Sequence, residues 1–249
     1  VVIILKSDTE IAAMRKAGRV VAQAHQLVSE HVRPGITTKQ LDTLVEEFFI
    51  SQNAIPAFKG YQGYPATICA SINEVVVHGI PNDIPLEEGW ILSVDIGAFV
   101  DGFCGDSAWT YPVGKIDAET QRLLDVTKRS LFLGIEKAVV GNRLSDISHQ
   151  IQTVVESNGF SVVRDFVGHG IGRKMHEPPQ IPNFGIPGRG PRLKAGMTLA
   201  IEPMVNAGNY HVRILEDNWT TVTVDGSWSA HFEHTIAITN DGPIILTEL

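Results

Sequence analysis

A seven-residue phrase occurs twice in this chain and ends both times in an acid: Gly89-Trp-Ile-Leu-Ser-Val-Asp95 and Gly196-Met-Thr-Leu-Ala-Ile-Glu202. Pro34-Gly35 and Gly141 each lead into a helical pattern, 60 and 61 residues before those acids. Self-similarity at this spacing limits the fold more than any local propensity does. It implies two related units that each deliver a carboxylate to a shared pseudo-twofold centre. His78-Gly79-Ile80 and His169-Gly170-Ile171 also match, but they precede their acids by 17 and 33 residues. Their equivalence therefore requires an insertion in the second half.

The first acid sits in a readable hairpin. Ile91 to Gly97 is apolar and β-branched, and Asp101-Gly102 is a two-residue turn signal before a second strand through Asp106 to Thr110. With those turn residues, Asp95 faces Ala108 and Asp106 is a diagonal neighbour on the same side. A four-residue loop would instead set the two aspartates directly opposite. Either register puts both carboxylates on one face.

Ser7-Asp-Thr-Glu10 is a capping box ahead of Ile11, Met14, Val21 and Val28 at helical spacing, and Thr37 to Gln40 opens a second helix with Leu41, Leu44, Val45, Phe48 and Phe49. Residues 117–140 and 145–157 repeat that pair. Strands are expected over 67–72, 75–78, 162–167, 198–202, 219–224 and 228–238, with Asp225-Gly226 turning the last two. The pattern predicts an α+β fold, helices packed on one face of a curved antiparallel sheet. At 249 residues and 43% hydrophobic content, with no linker or low-complexity tract, it fits one domain, residues 1–249, with halves of about 1–115 and 116–249.

A net charge of −8 disfavours nucleic acid as the main ligand. The apolar opening, residues 1–5, is too short for a signal-peptide core and no stretch reaches membrane-spanning length, so the expectation is a cytoplasmic protein. Cys69 and Cys104 are the only cysteines, too few and too isolated for a zinc knuckle or a disulfide scaffold. Cys104 reads as a small buried apolar residue.

Four carboxylates and one imidazole recur in order: Asp95, Asp106, His169, Glu202 and Glu233. In one cleft the acids would repel one another unless cations lay between them, and this donor set suits Mn, Fe, Co or Zn. The local contexts SVDIG, GDSAWT, GHGIG, AIEP and FEHT together resemble the type I methionine aminopeptidases, in their short bacterial form, over nearly the whole chain. That resemblance implies the pita-bread fold and removal of the initiator methionine before a small second residue. It implies two divalent ions, with Asp95 on one, His169 and Glu202 on the other, and Asp106 and Glu233 bridging. Glu202 doubles as proton acceptor, while His78 and His176 contact the peptide. The implied partners are nascent polypeptide N-termini, with transient ribosome association by a monomer and no membrane or DNA.

By the same resemblance Tyr61, Tyr64, Cys69 and Trp219 form the cup for the methionine side chain. Met175 stands where many relatives carry Phe, and Phe58 where some carry Cys. A monovalent cation would sit on the carbonyls of Asn73 and Val75 with Ser229. His25, His31, His149 and His211 read as surface residues. His231 and His234 flank Glu233 and are expected to point away from it. Two other readings are a proline-directed peptidase of the same fold, which usually carries a large N-terminal domain, and a non-catalytic peptide-binding module, which has typically lost ligands.

Overall fold

The computed structural model describes residues 2–249, which form four helices and fifteen short strands. Helix α1 spans Asp8–His31, α2 Thr38–Ser51, α3 Ala118–Ile135 and α4 Leu144–Ser157. Both expected capping boxes form. The Ser7 hydroxyl accepts from the Glu10 amide while the Glu10 carboxylate accepts from the Ser7 amide, and Thr37 and Gln40 do the same. Each such cap is worth about 1 kcal/mol. Helix α3 stops at Ile135, short of the expected Val140, because the amides of Lys137 and Ala138 bond three residues back and the chain turns into Gly141.

The strand Ile91–Val100 pairs with Phe103–Pro112 on one edge, and with Cys69–Ile72 and Ile55–Pro56 on the other. Asp95 faces Ala108 and Gly97 faces Asp106, the register of the two-residue Asp101-Gly102 turn, whose residues take φ of 51° and 77°. A second sheet runs Gly242–Ile245, His234–Thr239, Thr198–Ile201, Gly168–Gly170 and Glu177–Ile181, all antiparallel. Two three-stranded sheets complete the fold: Ser229–His231, Met204–Asn206 and Ser161–Val162; and Val212–Ile214, Thr221–Thr223 and Val75–Val77.

Alternation explains where the acids go. Leu92, Val94 and Ile96 pack with Val21, Val28, Leu41, Val45 and Phe49 of α1 and α2. Leu199, Ile201, Ile236 and Ile238 pack with Leu123, Leu131, Ile147 and Ile151 of α3 and α4. Each buried aliphatic side chain contributes about 1.5–3 kcal/mol, so a one-residue slip that turned Ser93 and Asp95 toward the helices would be heavily penalised. The helix-facing residues thereby fix Asp95 on the opposite face.

Several expected strands are shorter or broken. The 228–238 segment divides at Phe232-Glu233, because its backbone bonds to the first hairpin instead of continuing a ladder. The Glu233 amide donates to the Ala108 carbonyl at 2.8 Å, and the Ser107 hydroxyl donates to the Glu233 carbonyl at 2.7 Å. Thr235 and Thr110 stitch the same seam: the Thr235 hydroxyl accepts from the Asp106 amide and donates to the Asp106 carbonyl, and Thr110 does likewise with His231. Asp225-Gly226 does not join a hairpin, since Thr221–Thr223 pairs with Val75–Val77 while Ser229–His231 pairs with Met204–Asn206. Residues 162–167 are not one strand, because Arg164 and Asp165 are exposed and the chain changes sheets there.

Among the described residues, no helix is long and apolar enough to cross a membrane.

Candidate metal centre and substrate cavity

The seam between hairpin and second sheet brings all five expected ligands to one cavity of about 240 Å³. One ligand atom each from Asp106, His169 and Glu233 lies within 4.8 Å of the others. His169 Nε2 stands 3.5 Å from Glu202 Oε1 and 3.9 Å from Asp106 Oδ2. The His169 Nδ1 lies 2.9 Å from the Gly170 carbonyl and must donate to it, which leaves the Nε2 lone pair aimed at the acids. Such a backbone partner is how proteins orient a metal-binding imidazole. Gly97 makes room for the cluster, because a Cβ there would lie 3.1 Å from Asp106 Oδ1 and 2.9 Å from the side chains of Ala57 and Phe58.

Asp95 Oδ1, Asp106 Oδ1, Glu233 Oε1 and His231 Nε2 are buried without any hydrogen-bond partner. An unpaired buried acceptor costs about 1–3 kcal/mol, and more when charged. Burial, and then the neighbouring acids, holds the carboxyls of Asp106, Glu202 and Glu233 well above the usual range, and burial raises Asp95 as well. Orphaned carboxylate oxygens around a free imidazole nitrogen are the donor set a divalent cation satisfies, so the residues fit a metal.

A carboxyl raised in the folded state holds a proton that the unfolded chain releases near pH 4, so metal-free stability falls as pH rises toward the folded-state value. Burial lowers His78 and His169 to about 4 and His231 to about 3; these groups favour folding above about pH 6.5 and lose that contribution as pH falls. Above pH 6.5 the acids alone are left. The metal-free Tm is therefore expected to fall as pH rises from about 6.5 through about 7, the value to which burial pushes Asp95. Divalent metal at a hundred times its Kd adds about 2.7 kcal/mol, or roughly 5–10 °C. A Tm unmoved by metal across that range, followed by calorimetry, would contradict this fit.

His231 was not expected here. Its Nε2 lies 3.9 Å from Glu202 Oε2 and its ring lines the cavity. The period-2 rule itself carried the signal, since residues two apart share a strand face. His234 does point away, to Thr247 Oγ1 at 2.8 Å. His25 is buried as well, with Nε2 2.8 Å from the Ser107 carbonyl and Nδ1 2.9 Å from the Tyr111 hydroxyl, and burial lowers it to about 4. His149 and His211 are exposed and His31 is half-buried. His78 and His169 are not equivalent, because His78 follows a strand at φ 60° whereas His169 lies within one.

The residues expected to form the cup converge on the same cavity. Tyr61, Tyr64, Cys69, Met175 and Trp219 line it with Phe58, and Val77, Phe166 and Met204, which no motif marks, stand beside them. Tyr64 meets Trp219 edge to face at 5.0 Å, and its hydroxyl donates to the Gly79 carbonyl at 2.9 Å. The Asp42 carboxylate holds the amides of Thr67 and Ile68, fixing the approach to Cys69. His176 packs 4.3 Å from His169, ring to ring, and its Nδ1 is 2.9 Å from the Tyr61 hydroxyl. The groups suggested for a monovalent cation are adjacent: the Asn73 carbonyl accepts from the Ser229 amide at 2.8 Å, and Val75 pairs with Val222.

The chain matches metallopeptidase family M24 over residues 12–240. It is 57% identical to methionine aminopeptidase 1 of Bacillus subtilis, over 99% of this chain and all of that one. The crystal structure of the Thermotoga maritima methionine aminopeptidase superposes at TM-score 0.98, with 51% identity and full coverage of both chains. The Rickettsia prowazekii enzyme superposes equally well at 44% identity, over 99% of this chain and 100% of its own. On its fold, its ligand cluster and these relatives, the chain belongs to metallopeptidase family M24.

Proposed function

We propose that this protein is a metal-dependent aminopeptidase that removes methionine from polypeptide N-termini when the second residue is small. The observation that carries the reading is the meeting of the carboxylate and imidazole cluster with one apolar cup in a cavity of about 240 Å³. A space of that size takes a terminal residue, not a mid-chain segment, and walls of thioether, thiol and aromatic rings suit an unbranched thioether side chain.

Two divalent ions fit four acids better than one. Asp95 would hold the first, His169 and Glu202 the second, and Asp106 and Glu233 both. When bound, they supply Lewis-acid polarisation of the scissile carbonyl and a water acidic enough to ionise near neutrality. The chain's own groups do the rest. Glu202 takes the proton from the attacking water and returns it to the leaving amine. With the Tyr61 hydroxyl donating to Nδ1, the His176 Nε2 carries the proton and donates to the oxygen where charge develops. Burial keeps His78 and His176 neutral near pH 7, so each donates a hydrogen bond without adding a second positive charge beside the metals.

The chain also reads as one catalytic domain of two related halves, about 1–115 and 116–249. In support, Gly89 and Gly196 take φ of 90° and 88°, Gly35 and Gly141 take 90° and 97°, and each half packs its own helix pair on its own strands.

The substrate assignment predicts a ranking. Met-Ala-Ser is expected to exceed Met-Lys-Ser and Leu-Ala-Ser in kcat/KM by roughly 100-fold or more, since both cup and second-residue space must be satisfied. Met175→Phe should keep that order and move mainly KM. Comparable kcat/KM for the three peptides would refute the methionine cup while leaving a metallopeptidase.

A further inference from the structure

A groove of about 770 Å³ opens off the catalytic cavity, and the function assigned above does not use it. Groove and cavity share Tyr61, Gln62, Val167, His169 and His176, so they form one continuous depression. Beyond those residues the groove runs along Pro178, Pro179 and Gln180 to Ile3 and Pro191. We propose that it holds the third and fourth residues of the substrate chain, apolar ones by preference. This rests on the aminopeptidase reading and extends it to the substrate's downstream sequence.

The cavity takes the first residue and the scissile bond with the small second residue at its mouth, so the third and fourth must leave past His169 and His176. Two extended residues span about 7 Å, and the groove begins at those same side chains. Its far wall is apolar: Ile3, Pro178, Pro179 and Pro191. The strand Glu177–Ile181 is the outermost of its sheet, but two successive prolines deprive it of the amide donors a pairing strand would need. Recognition there falls to side-chain packing and to the exposed side-chain amides of Gln62 and Gln180, which line the groove. Gln62 is held at φ 47° at the junction of groove and cavity. A non-glycine residue in the left-handed region is strained, and such strain concentrates at ligand clamps.

The one charged group in the lining does not alter the preference. Glu177 is bound by the Lys6 ammonium at 2.5 Å, so it is neutralised in place. Acidic third and fourth residues find no cation there, and apolar ones find proline and isoleucine.

The test compares kcat/KM for Met-Ala, Met-Ala-Leu-Leu and Met-Ala-Asp-Asp on the metal-replete protein. Met-Ala-Leu-Leu is expected to exceed Met-Ala by about tenfold or more, chiefly through KM, as burying two apolar side chains allows. Met-Ala-Asp-Asp should gain less than about threefold. Ile3→Asp and Gln180→Glu should each reduce the Met-Ala-Leu-Leu to Met-Ala ratio about fivefold or more, with Met-Ala in the same preparation controlling for folding. Equal kcat/KM for the three peptides in the unaltered protein overturns the groove and leaves methionine removal intact. A preference for Leu-Leu that both variants retain places the contact elsewhere and also overturns it. No methionine release from any of the three refutes the aminopeptidase reading, and the groove with it.

Discussion

Glu202→Gln is expected to lower kcat roughly 10³-fold or more, and Asp106→Asn by a similar factor. Glu202 lies 3.5 Å from His169 Nε2 and 3.9 Å from His231 Nε2, at the end of the strand that packs on α3 and α4. An amide there keeps the shape but removes the negative charge and the basic oxygen on which both roles proposed for Glu202 depend. Asp106 has one oxygen unpaired and the other facing His169, so an amide removes a negative charge from the centre of the cluster. His176→Ala separates chemistry from metal binding. It should lower kcat by roughly 100-fold, the usual cost of one donor to a developing oxyanion, with metal content near normal. Elemental analysis beside steady-state kinetics reads the split, and equal metal loss in all three variants would contradict the role given to His176.

Lys6→Met is expected to destabilise the protein by about 3–5 kcal/mol, although Lys6 is far in sequence from every ligand. Its ammonium meets the Glu177 carboxylate at 2.5 Å with both side chains almost fully buried. The other Glu177 oxygen accepts from the Lys174 amide at 3.2 Å, and the Lys6 backbone amide donates to the Gly196 carbonyl at 2.7 Å. The pair thus ties the N-terminal segment to the loop that carries Met175 and His176. Removing one partner strands a buried charge, so Lys6→Met should cost far more than a surface pair, which is worth at most about 1 kcal/mol. Lys6→Arg should recover most of the stability. Denaturant midpoints measure both, and a Lys6→Met protein within about 1 kcal/mol of the parent would contradict this view of the pair.

Features set by local chemistry were legible in the sequence. Ser7 and Thr37 cap helices where their side chains predict it, and Asp101-Gly102 fixes the hairpin register. Alternation then carries Asp95 and Asp106 to one face. What escaped depends on long-range pairing. The strands Gly168–Gly170 and Glu177–Ile181 are rich in glycine and proline, so side-chain propensity hides ladders that only their backbones make. The break at Phe232-Glu233 comes from bonds to Ser107 and Ala108, more than 120 residues away. His25 looked like a surface residue because its partners, Tyr111 and the Ser107 carbonyl, arrive from another element. The Lys6 to Glu177 pair spans 171 positions and has no local signature.

If this cluster performs metal-dependent release of N-terminal methionine, removing the metal must abolish that release and restoring it must bring it back. The direct measurement strips the protein of metal, verifies that by elemental analysis, and follows free methionine from Met-Ala-Ser as Mn or Co is titrated back. We expect no release from the metal-free protein and a saturable rise that levels off as the site fills. Full release by protein shown to be metal-free would contradict it.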